Sequence, residues 1–183
     1  MNSFYSREEL EQIGFQSLGE NVLISKKASI YGSNNISIGN NVRIDDFCIL
    51  SGKINIGNYI HIAAGAMLFA GDQGIKLEDY TTISSRSAIY AITDDYSGDY
   101  MIGPMLPDEL RNVIKGPVIM EKYSAIATGC TVLPNVTIGQ GAAIGAMSLV
   151  NKNVESFTIN VGIPAKEIKK RSKRVIELEK KLK

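Results

Sequence analysis

The stretch Cys130–Val150, CTVLPNVTIGQGAAIGAMSLV, decides the fold because its aliphatic residues recur at intervals of six. Val132, Ile138, Ile144 and Val150 mark four successive repeats. An α-helix repeats about every 3.6 residues and a β-strand every two, so neither alone produces this period. A short extended segment followed by a turn, repeated every six residues, does produce it.

The same period runs through most of the chain. Each repeat contains an inward pair, which is an apolar or small residue followed two positions later by Ile, Leu, Val or Met. Because residues two apart point to the same side of a strand, each pair indicates a short strand with one face inward. The pairs run from Val22 with Ile24 to Ser148 with Val150. Three such strands per coil predict an all-β fold, a hexapeptide-repeat parallel β-helix of about six coils and roughly 27 Å in height.

The ends of such a column must be capped, because a terminal coil otherwise exposes its apolar face and an unpaired edge. Ser6, followed by Glu8 and Glu9, predicts the start of a short N-terminal helix, and Gly14 predicts its end. Apolar residues in the basic C-terminal segment predict a second helix there. The resulting single domain has these parts: an N-terminal cap over 1–20, β-helix coils over 21–90 and 118–163, an external loop over 91–117, and a C-terminal helix over 164–183.

The external loop is predicted from a break in the period. The inward residues Ile89 and Met120 are 31 positions apart, where one repeat would need six. A long excursion is uncommon in a compact domain and is usually functional. We therefore expect functional residues in this loop.

Composition narrows the class of protein. With 44% hydrophobic and 21% charged residues, the chain can bury one good core. No apolar run approaches the roughly 20 residues that cross a bilayer, and the N-terminus MNSFYSREEL lacks the basic-then-apolar pattern of a signal peptide. We expect a cytoplasmic protein with no membrane partner. Cys48 and Cys130 belong to no CxxC pair, so we expect neither a disulfide framework nor a metal site.

The basic charge is concentrated at the C-terminus. Residues 165–183 contain nine Lys or Arg and three Glu, whereas the rest of the chain is acidic overall. Nucleic acid is a poor candidate partner, because the body is acidic and the basic segment lacks aromatic residues for stacking.

The C-terminal third, GPVIMEKYSAIATGCTVLPNVTIGQGAAIGAMSLVNKNV followed by VGIPAKEI, resembles the hexapeptide-repeat acyltransferases. Including FYSREELEQIGF, VRIDDFCILSG and DDYSG, nearly the whole chain is similar to the sugar O- or N-acyltransferase branch of that family. That branch acts in the biosynthesis of surface polysaccharides, including lipopolysaccharide. The resemblance implies a left-handed helix, a homotrimer with active sites between neighbouring subunits, and acetyl-CoA or another acyl-CoA as donor.

A coenzyme A donor needs room for its narrow pantetheine arm and positive charge for its phosphates. Small residues at coil corners would let the arm lie against the backbone, and basic residues near the C-terminus would meet the phosphates. The alternative is that Gly and Ala are simply what tight corners require, and that the basic segment is a solvated helix face. The cofactor-binding candidates are Ala127, Gly145, Ala146, Lys152, Pro164, Lys169 and Arg171.

Acyl transfer needs an acceptor that loses its proton and donors aimed at the developing oxyanion. In much of this family a histidine before the long loop is the base, but the matching segment here is Thr93-Asp94-Asp95-Tyr96. A carboxylate, with a reference pKa of about 4, is a poor base for a hydroxyl. A neutral amine, by contrast, can attack directly while a carboxylate holds it and the thiolate leaving group takes up the proton. The sequence therefore favours N-acylation.

We predict transfer of an acyl group, most simply acetyl, from coenzyme A to the amino group of a nucleotide-linked deoxyamino sugar. Asp94 would position the amine, and a backbone amide would stabilise the oxyanion. Asp95 is a further catalytic candidate, and the predicted substrate contacts are Ser84, Tyr96 and Asp99.

His61, the only histidine, is the remaining catalytic candidate. It lies between the inward residues Ile60 and Ile62, so its side chain should face outward. It would be the base in the main alternative, O-acetylation of a sugar hydroxyl. A zinc hydrase of the γ-carbonic anhydrase type needs three histidines where this chain has one. A non-catalytic scaffold is disfavoured by the GIPAKEI element and the basic segment.

Overall fold

Short strands from successive repeats stack in register and form three flat faces around a column of buried aliphatic side chains. This arrangement is a parallel β-helix, and it confirms the fold predicted from the six-residue period. The structure is a computed structural model that describes residues 3–182. The first two residues of the predicted N-terminal cap and the last residue of the predicted C-terminal helix lie outside the described residues.

Helices are few in the described part of the chain. They are α1 (Arg7–Ile13), α2 (Arg174–Glu179) and two 3-10 turns, Ser33–Asn35 and Asp108–Leu110. Among residues 3–182, no helix is long and apolar enough to cross a membrane. The strands are β1 (Ser17–Leu18), β2 (Val22–Ile24), β3 (Ser29–Tyr31), β4 (Ile36–Ile38), β5 (Val42–Ile44), β6 (Ile49–Ile56), β7 (Ile60–Ile62), β8 (Met67–Leu77), β9 (Thr82–Ile83), β10 (Ala88–Tyr90), β11 (Ile92–Asp94), β12 (Val113–Lys115), β13 (Val118–Met120), β14 (Ala125–Ile126), β15 (Thr131–Val132), β16 (Thr137–Ile138), β17 (Ala143–Ile144), β18 (Leu149–Val150), β19 (Thr158–Gly162) and β20 (Ala165–Lys170).

We name the three faces after one strand each. The β2 face consists of β2, β5, β7, β9, β14, β17 and β19, one strand per coil. The β4 face contains β1, β4, β13, β16 and the second halves of β6 and β8. The β10 face contains β3, β10, β15, β18 and the first halves of β6 and β8. The β2 face has one strand more than six coils predict, because β19 adds a coil beyond the last inward pair.

The inward pairs predicted from the sequence form the core. Leu50, Ile62 and Ile144 are each at most 2% exposed. Ile44 aligns with Ile62 across two coils, so that aliphatic side chains stack one above the other. Thr81, a polar member of a pair, is also fully buried. Position in the period therefore decides which side chains face inward, even where the residue is polar.

The short N-terminal helix is present as predicted. The Ser6 hydroxyl accepts a hydrogen bond from the Glu9 amide at 3.2 Å, and the Glu9 carboxylate accepts one from the Ser6 amide at 2.7 Å. The helix ends at Gly14, whose φ of 76° is the left-handed conformation that glycine adopts without strain. Leu10, 1% exposed, packs against the core and covers the first coil.

The C-terminal segment is helical only in part, which corrects the prediction of a helix over 164–183. Residues Ala165–Lys170 form β20, which pairs antiparallel with β19, and only Arg174–Glu179 form α2. The open edge of the last coil has unpaired backbone groups, and pairing with β20 satisfies them better than a helix would. Ile168 is 58% exposed and makes no apolar stripe with α2.

The segment predicted as an external loop begins and ends as a two-stranded ribbon. β11 pairs antiparallel with β12, with Thr93 opposite Ile114. The Gly116 amide then donates to the Ala91 carbonyl at 3.0 Å and closes the base of the ribbon. The ribbon leaves the column at the corner that follows β10, so Asp94, at the end of β11, is held beside the β10 face.

Another corner, between the β2 and β10 faces, stacks one residue per coil. In each coil the amide of this residue donates to a carbonyl of the next coil at 2.8–3.0 Å. Stacked strands lie about 4.8 Å apart, so neighbouring members are about that far from each other. We call this set the corner column; its members are Ser25, Asp45, Ala63, Ser84, Ala127 and Gly145.

Candidate active site

The ribbon and the edge of the β10 face enclose a cleft of about 590 Å³. Phe69 and Tyr90 form one wall, with their rings stacked at a centroid distance of 5.2 Å and an interplanar angle of 20°. The cleft is lined by Phe69, Tyr90, Ile92, Thr93, Asp94, Tyr96, Pro104, Arg111 and Val113. It combines a flat aromatic surface, one carboxylate and one guanidinium, which is suited to a ligand with a planar ring and charged groups.

Asp94 is the carboxylate that lines this cleft. It ends β11 and is fixed by pairing with Val113, the first residue of β12. Arg111 approaches the same space, and its guanidinium is oriented by Asp108, with Nη2 2.7 Å from Oδ1. Tyr96, a predicted substrate contact, also lines the cleft with an exposed side chain.

Asp95 differs from Asp94 because its carboxylate holds the turn. One oxygen accepts from the Ser97 amide at 2.8 Å, and the other accepts from the Asn112 side chain at 2.9 Å. These hydrogen bonds, above all that from the Ser97 amide, lower the pKa of Asp95 below its ordinary value. A carboxylate with a lowered pKa takes up a proton less readily, so a structural role fits Asp95 better than that of a base. Asp99 lies at the exposed tip of the loop and does not line the cleft.

Ser84 lies at the opposite edge of the same face. It belongs to the corner column, whereas Asp94 follows the other end of β10. The three residues of β10 alone span roughly 10 Å at about 3.3 Å per residue. Within one subunit, Ser84 and Asp94 therefore do not share a cleft.

His61 is in the middle of β7 on the β2 face and does not line the Asp94 cleft. Its Nε2 lies 2.7 Å from Asp45 Oδ2, and Arg43 Nε donates to Asp45 Oδ1 at 2.7 Å. Burial raises the pKa of Asp45, but the hydrogen bonds from His61 and Arg43 outweigh it and leave the pKa below its ordinary value. Asp45 is thus an ionised carboxylate shared by two donors.

The small cofactor candidates cluster along the corner column. Ala127 and Gly145 follow Ser84 in successive coils, and Ala146 is next to Gly145. A Cβ added at Gly145 would lie 2.5 Å from a Val161 side-chain carbon, so the coil contact itself accounts for this glycine. The alternative to a role in coenzyme A binding, that tight corners require small residues, therefore explains at least Gly145 among these candidates.

The basic candidates have different surroundings. Lys152 is exposed in a turn, Pro164 is in the connection between β19 and β20, and Lys169 is exposed on β20. Arg171 is half-buried, and its Nη1 donates to three backbone carbonyls, those of Tyr123, Gly141 and Ala142. The geometry of Arg171 is that of a structural clamp on the last coils.

Sequence reasoning missed the aromatic wall and Arg111. Phe69 follows the inward Leu68 and Tyr90 follows the inward Ile89, so both occupy the same position of the β10 face in successive coils, and β8 and β10 pair them directly. That shared position was a signal in the sequence. Arg111 had none, because its place depends on how the loop folds. Within the described range 3–182, no three His, Cys, Asp or Glu residues are grouped so that they could hold a metal ion.

No family model matches the chain. It is 52% identical over 174 residues to a dTDP-4-amino-4,6-dideoxy-D-glucose acyltransferase of Escherichia coli, covering 93% of this chain and 90% of that protein. It is 29% identical over 156 residues to a putative lipopolysaccharide biosynthesis O-acetyl transferase of Escherichia coli K12, WbbJ, covering 80% and 74%.

Among solved structures, it superposes on AntD, an N-acyltransferase from Bacillus cereus, with a TM-score of 0.98 and 53% sequence identity. The match covers 100% of this chain and 97% of AntD, which was crystallised with dTDP and 3-hydroxybutyryl-CoA. An S84C variant of AntD was crystallised with dTDP-4-amino-4,6-dideoxyglucose and coenzyme A, and a D94A variant with dTDP and coenzyme A.

Proposed function

Because the chain belongs to the hexapeptide-repeat acyltransferases, we propose that it transfers an acyl group from coenzyme A to the amino group of dTDP-4-amino-4,6-dideoxyglucose. The family, the acyl-CoA co-substrate and N-acylation of a nucleotide-linked amino sugar, all predicted from the sequence, are confirmed. What we propose beyond this is that the acceptor is dTDP-4-amino-4,6-dideoxyglucose in particular. The observation that carries it is 52% identity over nearly the whole of both chains to an enzyme of that specificity.

The Asp94 cleft is the proposed place for the nucleotide sugar. The thymine ring would stack against the aromatic pair Phe69 and Tyr90, and Arg111 would face the diphosphate. The sugar would then lie near Asp94 with its amino group toward the carboxylate. Tyr96 would cover the ligand from the loop side.

In the proposed reaction, Asp94 holds and orients the neutral amine. The amine nitrogen attacks the thioester carbonyl carbon, a C–N bond forms and the C–S bond breaks. The proton leaving the nitrogen passes to the thiolate of coenzyme A, so no strongly basic side chain is needed. Orientation by Asp94 is the contribution of the protein to this step.

We propose a homotrimer whose active sites lie between subunits. Ser84 and Asp94 border opposite edges of the β10 face, so a rotation that places one subunit's corner column against its neighbour's ribbon would bring them together. Several outward side chains of that face, including Ile49, Met67 and Leu149, are apolar and are suited to burial against other subunits, although Ser29 and Thr131 at the same outward position are polar.

Coenzyme A is proposed to lie along the corner column of one subunit. Its pantetheine arm would follow Ala127 and Gly145 and place the thioester near Ser84. A cytoplasmic location and a role in surface-polysaccharide biosynthesis, including that of lipopolysaccharide, are part of the same proposal. The division of the chain into an N-terminal cap, coils, an external loop and a C-terminal segment also belongs to this proposal.

Thiol release from acyl-CoA tests this function. The enzyme should release coenzyme A with dTDP-4-amino-4,6-dideoxyglucose and not with the analogue that carries a hydroxyl in place of the amine. Asp94→Ala should lower kcat/KM about 100-fold or more, because it removes the group that orients the amine.

Glu109→Ala is the matched control, because Glu109 is an exposed acid of the same loop outside the cleft. It should leave turnover unchanged. Equal turnover of the hydroxyl analogue would instead indicate O-acylation, and unchanged turnover in Asp94→Ala would remove Asp94 from the mechanism.

A further inference from the structure

Arg86 carries a guanidinium that neither the fold nor the reaction above accounts for. Within residues 3–182 this guanidinium makes no hydrogen bond and no ion pair, and the residue is exposed. Other arginines of the chain are engaged, since Arg43 donates to Asp45 and Arg171 donates to backbone carbonyls. Arg86 therefore offers an unpaired positive charge at a corner of the β-helix.

Arg86 lies two residues after Ser84, at the turn that leads from the corner column to β10. Its backbone is fixed there, because its amide donates to the Ala64 carbonyl at 3.1 Å. Its side chain leans over Gly65 of the preceding coil, where a Cβ added to that glycine would lie 3.5 Å from Arg86 Cγ. Two residues of extended chain span at most about 7 Å, so Arg86 is a close neighbour of Ser84.

The register of the coils places this side chain at the height of the Asp94 cleft. Gly65 precedes β8 by two residues and Arg86 precedes β10 by two, and these strands pair Phe69 with Tyr90 in the wall of the cleft. A rotation about an axis parallel to the column keeps every coil at its own height. The rotation that brings one subunit's corner column to its neighbour's ribbon therefore also brings Arg86 to the neighbour's cleft.

The cleft of a single subunit has little positive charge. The loop from Asp94 to Arg111 contains five acidic residues and one basic residue, and that basic residue, Arg111, is already paired with Asp108. A nucleotide sugar adds a diphosphate with a negative charge on each phosphorus. Arginine suits this group, because its planar set of N–H donors matches the phosphate oxygens. A second arginine would supply the charge that the cleft lacks.

We infer that Arg86 binds the diphosphate of the nucleotide sugar that occupies the neighbouring subunit's cleft. The diphosphate is attached to C1 of the sugar and the amino group to C4, so the two groups lie at opposite ends of one sugar ring. The amino group lies near Ser84 and the diphosphate near Arg86. This inference rests on the proposed function, and it gives each acceptor site a specificity-determining residue from a second subunit.

Arg86→Met tests the inference in the full-length enzyme, because methionine removes the charge and retains much of the side-chain length. The Michaelis constant for dTDP-4-amino-4,6-dideoxyglucose should rise about tenfold or more, since a charged hydrogen bond to phosphate is lost, while kcat changes less than about threefold. Binding of dTDP, measured by calorimetry, should weaken by a similar factor. The Michaelis constant for acyl-CoA should stay the same. Arg86→Lys should recover part of the affinity, because it restores the charge alone.

Arg174→Met is the matched control, because Arg174 is another exposed arginine whose guanidinium has no hydrogen bond or ion pair in the described chain. It should leave these constants unchanged. Unaltered dTDP binding in Arg86→Met would overturn the inference and leave the proposed function intact. A rise confined to the acyl-CoA constant, or a fall in kcat alone, would also overturn it. If the unmodified enzyme transfers no acyl group to this sugar, the proposed function fails, and the dTDP titration still decides the role of Arg86.

Mixed trimers test whether Arg86 acts across the interface. In a trimer of Asp94→Ala and Ser84→Tyr subunits, the intact site takes its corner from an Asp94→Ala subunit and its cleft from a Ser84→Tyr subunit. Adding Arg86→Met to the Asp94→Ala subunit should raise the Michaelis constant for the nucleotide sugar, and adding it to the Ser84→Tyr subunit should not. The opposite result would place Arg86 at its own subunit's cleft and overturn the inference.

Discussion

Replacing Arg171 with methionine should destabilise the C-terminal end of the β-helix more than it weakens coenzyme A binding. Arg171 Nη1 donates to the carbonyl oxygens of Tyr123, Gly141 and Ala142 at 3.1, 2.9 and 3.3 Å. A hydrogen bond from a charged donor contributes about 1.5–3 kcal/mol, and three bonds that share one nitrogen do not add fully. We therefore expect the free energy of unfolding to fall by about 2–3 kcal/mol.

Urea unfolding followed by circular dichroism measures this change, at one fixed protein concentration because an oligomer's stability depends on concentration. Lys169→Met is the matched control, because Lys169 is an exposed basic residue of the neighbouring strand β20, and we expect a change within about 0.5 kcal/mol. The Michaelis constant for acyl-CoA is measured on the same variants. If Arg171→Met unfolds like the unmodified protein while that constant rises tenfold or more, then Arg171 binds a coenzyme A phosphate and the structural explanation is refuted.

Three further predictions concern the core, acid stability and the thiols. Ile62→Ala removes a fully buried side chain and should lower the free energy of unfolding by about 2–5 kcal/mol in the same urea assay; a loss below 1 kcal/mol would contradict the assigned register. Because the pKa of Asp45 is lower in the folded protein than in the unfolded chain, its ionised carboxylate stabilises the fold at pH values above the unfolded-state pKa of about 4, and this contribution is lost as the pH falls. Asp45→Asn should therefore make the free energy of unfolding depend less on pH on the acid side. An unaltered pH dependence would argue against the pairing of Asp45 with His61 and Arg43. Burial raises the pKa of the Cys48 thiol to about 11 and also raises that of Cys130, so iodoacetamide at pH 8 should label both thiols only after unfolding; rapid labelling of the native protein, seen by mass spectrometry, would contradict their burial.

The coils were predictable from the sequence because each repeat of six residues specifies its own strand and turn. Leu50 and Ile144 occupy the buried positions that the period assigns to them. Thr81 is buried too, although threonine is a polar residue type that usually lies at the protein surface. The six-residue period can be read from neighbouring residues alone, and the stacked coils repeat the same strand and turn.

The C-terminal segment was not predictable in the same way. Ala165–Lys170 has good helix formers, and it becomes a strand because β19 offers an open edge. That edge exists only after the column has formed. The clamp made by Arg171 likewise depends on carbonyls contributed by two earlier coils.

The candidate site was predicted in part. Asp94 was identified from its position before the loop, and it does line the cleft. The Asp45–His61 contact was missed because it joins residues 16 positions apart that meet only through coil register. The separation of Ser84 from Asp94 was missed for a related reason: the sequence places them ten residues apart, whereas β10 holds them at opposite edges of a face.

The central claim is that each active site takes Ser84 from one subunit and Asp94 from its neighbour, and subunit mixing tests it most directly. Two variants that are inactive alone, Ser84→Tyr and Asp94→Ala, are co-expressed with different tags, and mixed oligomers that contain both are purified. Whichever variant contributes two subunits, a mixed trimer has one intact site among its three interfaces, so the purified mixed oligomers should regain about a third of unmodified activity. Mixed oligomers without activity would contradict a site shared between subunits.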